Sequence, residues 1–186
     1  MVSAIPGQSA TRTLRELMHP LIEWDKAVEV AAAHMLPMPR ESLVVSLALA
    51  QQHGDLHPGN ILLANNHPVL IDSDAEIKAS RALDAVTALL SPLFNRHSPL
   101  RDDAWPQVPQ CRLVGTSGFL DGCPCPGWID VAQSWFLSTV SSPREQWGLV
   151  FGFALRQLKY PDVQDRPVLV DRAKALAAAA FDILSD

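Results

Sequence analysis

Eight residues, His53-Gly54-Asp55-Leu56-His57-Pro58-Gly59-Asn60, are followed at once by Ile61-Leu62-Leu63 and then by Val69-Leu70-Ile71-Asp72. This arrangement limits what the chain can fold into. Two three-residue apolar runs with Asn65-Asn66-His67-Pro68 as the turn between them predict a short β-hairpin. Gly54 and Gly59 give the preceding loop backbone freedom, and Pro58 stiffens it. A tight loop therefore feeds a hairpin that returns Asp72 towards Asn60.

The rest of the sequence predicts helices around that hairpin. Met1–Ala10 reads as a flexible tail. Residues 11–35 carry Leu14, Leu17, Met18, Leu21, Ile22 and Val28 near a 3.6-residue period, with Pro20 as a break. Residues 40–52 read as a second helix with Leu43, Val44, Leu47 and Leu49 on its apolar face. Ser80 is expected to cap a helix through Leu90. Residues 95–127, rich in Pro, Gly, Asp and Cys, read as a long irregular connection. Further helices are expected over 128–140, from Pro143 to about Leu158, and from Pro167 to Leu184. The expected fold class is mainly α with a small β-hairpin (α+β), in a single domain over residues 1–186.

Composition narrows the function. The net charge of −5 argues against a nucleic-acid partner. Met1–Pro20 has no secretory h-region, and no apolar run reaches the ~20 residues of a membrane helix, so no membrane partner is expected. A soluble, cytoplasmic protein is the expectation. Cys111, Cys123 and Cys125 are odd in number and poorly spaced for zinc, which favours free thiols.

The chemistry sits in the loop. Phosphoryl transfer needs a group to accept a hydroxyl proton and hard oxygen ligands to hold Mg on the phosphates of ATP. Asp55, Asn60 five positions on and Asp72 twelve beyond that supply this set, at the Asp-to-Asn spacing of a kinase catalytic loop. Asp55 is the candidate base, and Asn60 and Asp72 the candidate metal and cofactor ligands. Arg156 and Lys159 read as a solvated face near a helix end, Asp74 as a solvated or capping residue, and the tryptophans as core. His53, Asp55 and His57 alternate, so a metal-dependent hydrolase or oxygenase is an alternative chemistry. Gly54, Pro58 and Gly59 favour a loop over the strand which that reading needs.

The run from His53 to about Asp74 resembles the aminoglycoside phosphotransferase and choline kinase-like superfamily, the small-molecule branch of the protein-kinase fold. A weaker resemblance extends over 82–94. Residues 153–162 are loosely similar to phosphotransferase-like domains of bacterial multidomain signalling or conflict systems. The superfamily resemblance implies an ATP- and Mg-dependent transfer to a hydroxyl of a small molecule, with Asp55 as catalytic base and Asn60 and Asp72 as metal ligands. It also implies that Asn60 and His57 are catalytic-loop residues beside Asp55, His57 either acting near the phosphates or supporting the loop, that His53 braces the loop, and that Asp84 anchors it from beneath. Ser73-Asp74 stand where kinases often carry Phe-Gly.

One departure counts. Before Gly54 the only glycine is Gly7 and the only lysine is Lys26, in a helical segment. No glycine-rich phosphate loop or lysine strand is visible. The expectation is thus a kinase-like C-terminal lobe with its N-lobe absent, and an N-lobe or partner domain in trans as a partner. A catalytically incompetent kinase-like interaction or signalling module is the alternative function. An uncovered hairpin predicts an exposed apolar patch around Ile61, Leu63 and Val69.

Overall fold

The computed structural model describes residues 8–72 and 77–186; residues 1–7 of the expected tail, and Asp74, lie outside them. The fold is α+β, a mainly helical body with small antiparallel sheets.

Strand β1 (Gln8–Thr13) occupies residues expected as tail and helix start. Its sequence, Gln-Ser-Ala-Thr-Arg-Thr, buries no side chain fully, which suits an edge strand that needs one neighbour and tolerates charge on its free side. Thr13 then caps helix α1 (Leu14–Met18) in a reciprocal capping box with Glu16. The chain breaks around Pro20 before α2 (Trp24–Ala33).

Residues 40–52, expected as helix, instead lead into strand β2 (Val44–Gln52). Val45 and Leu47 are buried while Val44 and Ser46 face out, the period of two that a strand imposes. Leu43, Val44 and Leu47 also fit a helical stripe, so periodicity alone does not decide. The β-branched Val44-Val45 pair and the ladders on both sides decide it. β1 pairs with β2 from Gln8↔Leu49 to Thr13↔Val44, and β5 (Ile77–Ser80) pairs from Leu49↔Ser80 to Gln52↔Ile77.

Strands β3 (Ile61–Ala64) and β4 (His67–Leu70) form the hairpin, in register from Ile61↔Leu70 to Ala64↔His67, so His67 and Pro68, expected in the turn, belong to β4, and Ile71, expected in the strand, follows it. Asn65 and Asn66 turn it at φ 51° and 63°, the doubly left-handed backbone that asparagine tolerates best after glycine. Leu62, Leu63, Val69 and Leu70 are exposed, and Ile61 is half-buried.

The body is built from α3 (Leu83–Leu90), α4 (Val108–Cys111), α5 (Pro126–Thr139), α6 (Pro143–Leu158), α7 (Pro161–Gln164) and α8 (Pro167–Leu184). Ser80 ends β5 and does not cap α3; Ala82 holds that position. Pro143, Pro161 and Pro167 each open a helix, where a missing N–H costs nothing. α6 is the spine, packed on α8 and α1. A Cβ on Gly148 would lie 2.6 Å from a Leu17 methyl, so glycine permits the approach of α1. Trp24 and Trp105 are core residues, whereas Trp135 is exposed.

The 95–127 connection is irregular but anchored. It contains α4 and short 3₁₀ turns at Pro99–Arg101 and Ser117–Leu120. Trp105 and Phe119 are buried ring against ring, and the indole N–H donates to the Phe119 carbonyl at 3.0 Å. Arg172 of α8, fully buried, donates to the carbonyls of Arg101, Asp103, Trp105 and Pro106. Among the described residues no helix is long and apolar enough to cross a membrane.

Candidate functional site

The loop between β2 and β3 is held from beneath by one carboxylate. Asp84, in the first turn of α3, accepts the His53 N–H at 2.7 Å on Oδ2 and the Gly54 N–H at 2.9 Å on Oδ1. Gly54 has φ 89°, a left-handed conformation that favours glycine and lets both amides face the carboxylate. The Gln52 side-chain oxygen accepts the Asp84 N–H at 3.2 Å. Burial pushes the Asp84 carboxyl upwards in pKa, against the two N–H donors, which favour the anion.

Both loop histidines are engaged by backbone. His53 Nε2 donates to the Ile71 carbonyl at 2.8 Å and so ties the loop to the exit of the hairpin. His57 Nδ1 accepts the Gly59 N–H at 3.0 Å and caps the 3₁₀ turn Pro58–Asn60. Among the described residues no group of His, Cys, Asp and Glu side chains forms a three-ligand metal cluster.

Asn60 is buried and doubly fixed. Its Nδ2 donates to the Asp55 carbonyl at 3.0 Å, and its own carbonyl accepts the Ile71 N–H at 3.0 Å. With Nδ2 so occupied, Oδ1 is the side-chain atom left to ligate. Asp72 follows Ile71 directly and is exposed, with φ 57°. An amide oxygen and a carboxylate from the two ends of the hairpin are hard donors of the kind magnesium takes, one or two from protein with water and phosphate filling its shell.

Asp55 is half-exposed and projects to a partner that the sequence does not reveal. Arg156, expected as part of a solvated face, has a side chain only 18% exposed. Its Nη2 donates to Asp55 Oδ1 at 2.9 Å and its Nε to the Tyr160 hydroxyl at 3.2 Å. Burial lowers the Arg156 pKa, but the Tyr160 and Asp55 oxygens outweigh it and the net shift is upward. The neighbouring Lys159 lies 5.0 Å from the centre of the Tyr160 ring. No signal in the sequence joins Asp55 to a residue 101 positions away.

Two hollows open beside the loop. One, of about 400 Å³, is lined by Asp55, Ser91, Phe94, Arg96, Arg156 and Tyr160, among others. The other, of about 560 Å³, is more apolar, with Pro58, Pro92, Leu100, Cys125 and Trp128 in its wall. They share His57, Asn95 and His97. A hollow of about 600 Å³ between the three-stranded sheet and α1 shares no residue with either. The loop thus presents a carboxylate to a cleft, and Asn60 and Asp72 flank the hairpin that follows it. Compared with protein-family models, curated proteins and solved structures, the chain finds no match.

Proposed function

We propose that this chain is the C-terminal, metal- and acceptor-handling lobe of a protein-kinase-like phosphotransferase, resembling the aminoglycoside phosphotransferase and choline kinase-like superfamily. The observation that carries the reading is the loop held by Asp84, which turns Asp55 towards the 400 Å³ hollow. An acceptor hydroxyl placed there lies beside a fixed carboxylate. Its oxygen forms the new bond to the γ-phosphorus of ATP, its proton passes to Asp55, and ADP departs with the electrons of the broken P–O bond. Asp55 orients the hydroxyl and takes the proton. Asn60 Oδ1 and the Asp72 carboxylate would hold magnesium, which supplies charge neutralisation on the phosphates when bound. Most of such catalysis is positioning and electrostatics, and the hydrogen bonds that Asp84 and His57 accept and His53 donates supply rigidity.

The test is a thermal shift of the full chain with magnesium and a non-hydrolysable ATP analogue. At about ten times Kd, binding adds ~1.4 kcal/mol, a rise of about 3–6 °C for a chain of this size. The rise should need magnesium and vanish in Asp72→Asn. No rise at millimolar nucleotide would sink the proposal.

A further inference from the structure

We propose that the hollow beside Asp55 takes a hydroxyl compound bearing an anionic group, a carboxylate or a phosphate, held between Arg96 and Arg156. The inference rests on the phosphotransferase reading above and names its acceptor class.

The charges around the hollow do not balance. Its two carboxylates, Asp55 and Asp162, are each matched already. Arg156 serves Asp55, and Arg101, itself buried, donates to Asp162 at 2.8 Å. Arg96 is then a surplus cation: it lines the hollow, its charge acts on Asp162, and it makes no ion pair or side-chain hydrogen bond among the described residues. Arg156 has donors to spare as well. Its Nε and Nη2 are used, and Nη1 has no partner among the described residues. Ser91, which also lines the hollow, has a buried hydroxyl with no partner among the described residues. A buried hydroxyl of that kind is costly unless something bonds it.

The Arg156 fork fixes the relation between the two ligand groups. Guanidinium is planar and offers its donors in a rigid array suited to carboxylate and phosphate. One arm holds Asp55 Oδ1, which leaves Oδ2 to meet the acceptor hydroxyl. An anion on the remaining arm then sits a few bonds from that hydroxyl, with the guanidinium separating it from the Asp55 charge. A cationic acceptor in the same place would meet two guanidiniums instead.

Matched open-chain polyols test this: gluconate and sorbitol 6-phosphate as anions, sorbitol as neutral and glucamine as cation. Binding of each to the full chain is measured by calorimetry, without nucleotide. One or both anions should bind at least about ten-fold tighter than sorbitol, with glucamine weakest, and the stronger anion identifies carboxylate or phosphate. Arg96→Gln, at an exposed position with no partner to lose among the described residues, should erase that ratio. Sorbitol or glucamine binding as tightly as the anions would overturn the inference. So would an unchanged ratio in Arg96→Gln, or no binding of any probe at about 10 mM. The nucleotide shift is read on the same protein. A shift without anion preference removes the acceptor class alone, and anion preference without a shift removes phosphotransfer.

Discussion

Asp84→Ala should release the loop while leaving most of the core in place. Asp84 is 7% exposed and receives two backbone N–H groups, from His53 and Gly54, at 2.7 and 2.9 Å. Alanine provides no acceptor, and both amides are part-buried. Each hydrogen bond to a charged group contributes about 1.5–3 kcal/mol, and each amide left unpaired in a buried place costs about 1–3 kcal/mol, two views of the same loss. Relief of the carboxylate's desolvation, visible in its raised pKa, returns part of it. The net expectation is about 2–4 kcal/mol. Urea unfolding followed by tryptophan fluorescence measures it, as a lower midpoint at unchanged slope. Asp84→Asn, which keeps one acceptor but turns an amide N–H towards the other donor, should fall between wild type and alanine. A loss below about 0.5 kcal/mol in Asp84→Ala, the range of ordinary surface changes, would refute the anchoring argument.

Arg172→Met should cost about 3–5 kcal/mol, because the carbonyls of Arg101, Asp103, Trp105 and Pro106 lose their shared donor and residues 95–127 lose one of their attachments to α8; limited proteolysis should then cut first in that segment. Glu145, fully buried, has its carboxyl raised above the ordinary 4.5, by burial first, against bonds from the Ser141 N–H and the Ser80 hydroxyl. A carboxyl raised on folding stabilises fully below its unfolded pKa, and that contribution is lost as pH rises through the folded value. The stability of wild type relative to Glu145→Gln should therefore decline from about pH 4 upward until the folded pKa is passed, as read from urea midpoints. Cys111, buried with its thiol pushed up to about 12, should resist iodoacetamide at neutral pH in the folded chain, whereas exposed Cys125 should react, as peptide mass spectrometry will show.

How much of the molecule is legible in its sequence depends on how local each feature is. The loop and hairpin are legible because spacing, turn residues and strand runs lie within twenty residues of each other, and Asn65-Asn66 signals its own turn. Pro143 and Pro167 mark helix starts because proline fits the first turn and fails in the interior. β2 reads as a helix because a short apolar run satisfies periods of two and 3.6 alike, and one of its two partner strands lies more than thirty residues away. β1 escapes notice because a polar edge strand has no apolar alternation to read. Arg156 and Arg172 are invisible as site and core residues, since a buried arginine is defined by groups some seventy to a hundred positions distant. Asp84 differs: the resemblance points to it, and the structure sets its carboxylate under His53 and Gly54.

The most direct measurement of the central claim follows the label of γ-labelled ATP incubated with the full chain, magnesium and the anionic polyols, comparing wild type with Asp55→Asn. The account predicts magnesium-dependent transfer in the wild type, reduced about 10²–10⁴-fold in the variant, the range of a lost general base, while the variant keeps its nucleotide shift. Equal transfer by both proteins, or none by the wild type under conditions where it binds nucleotide and polyol, would contradict it.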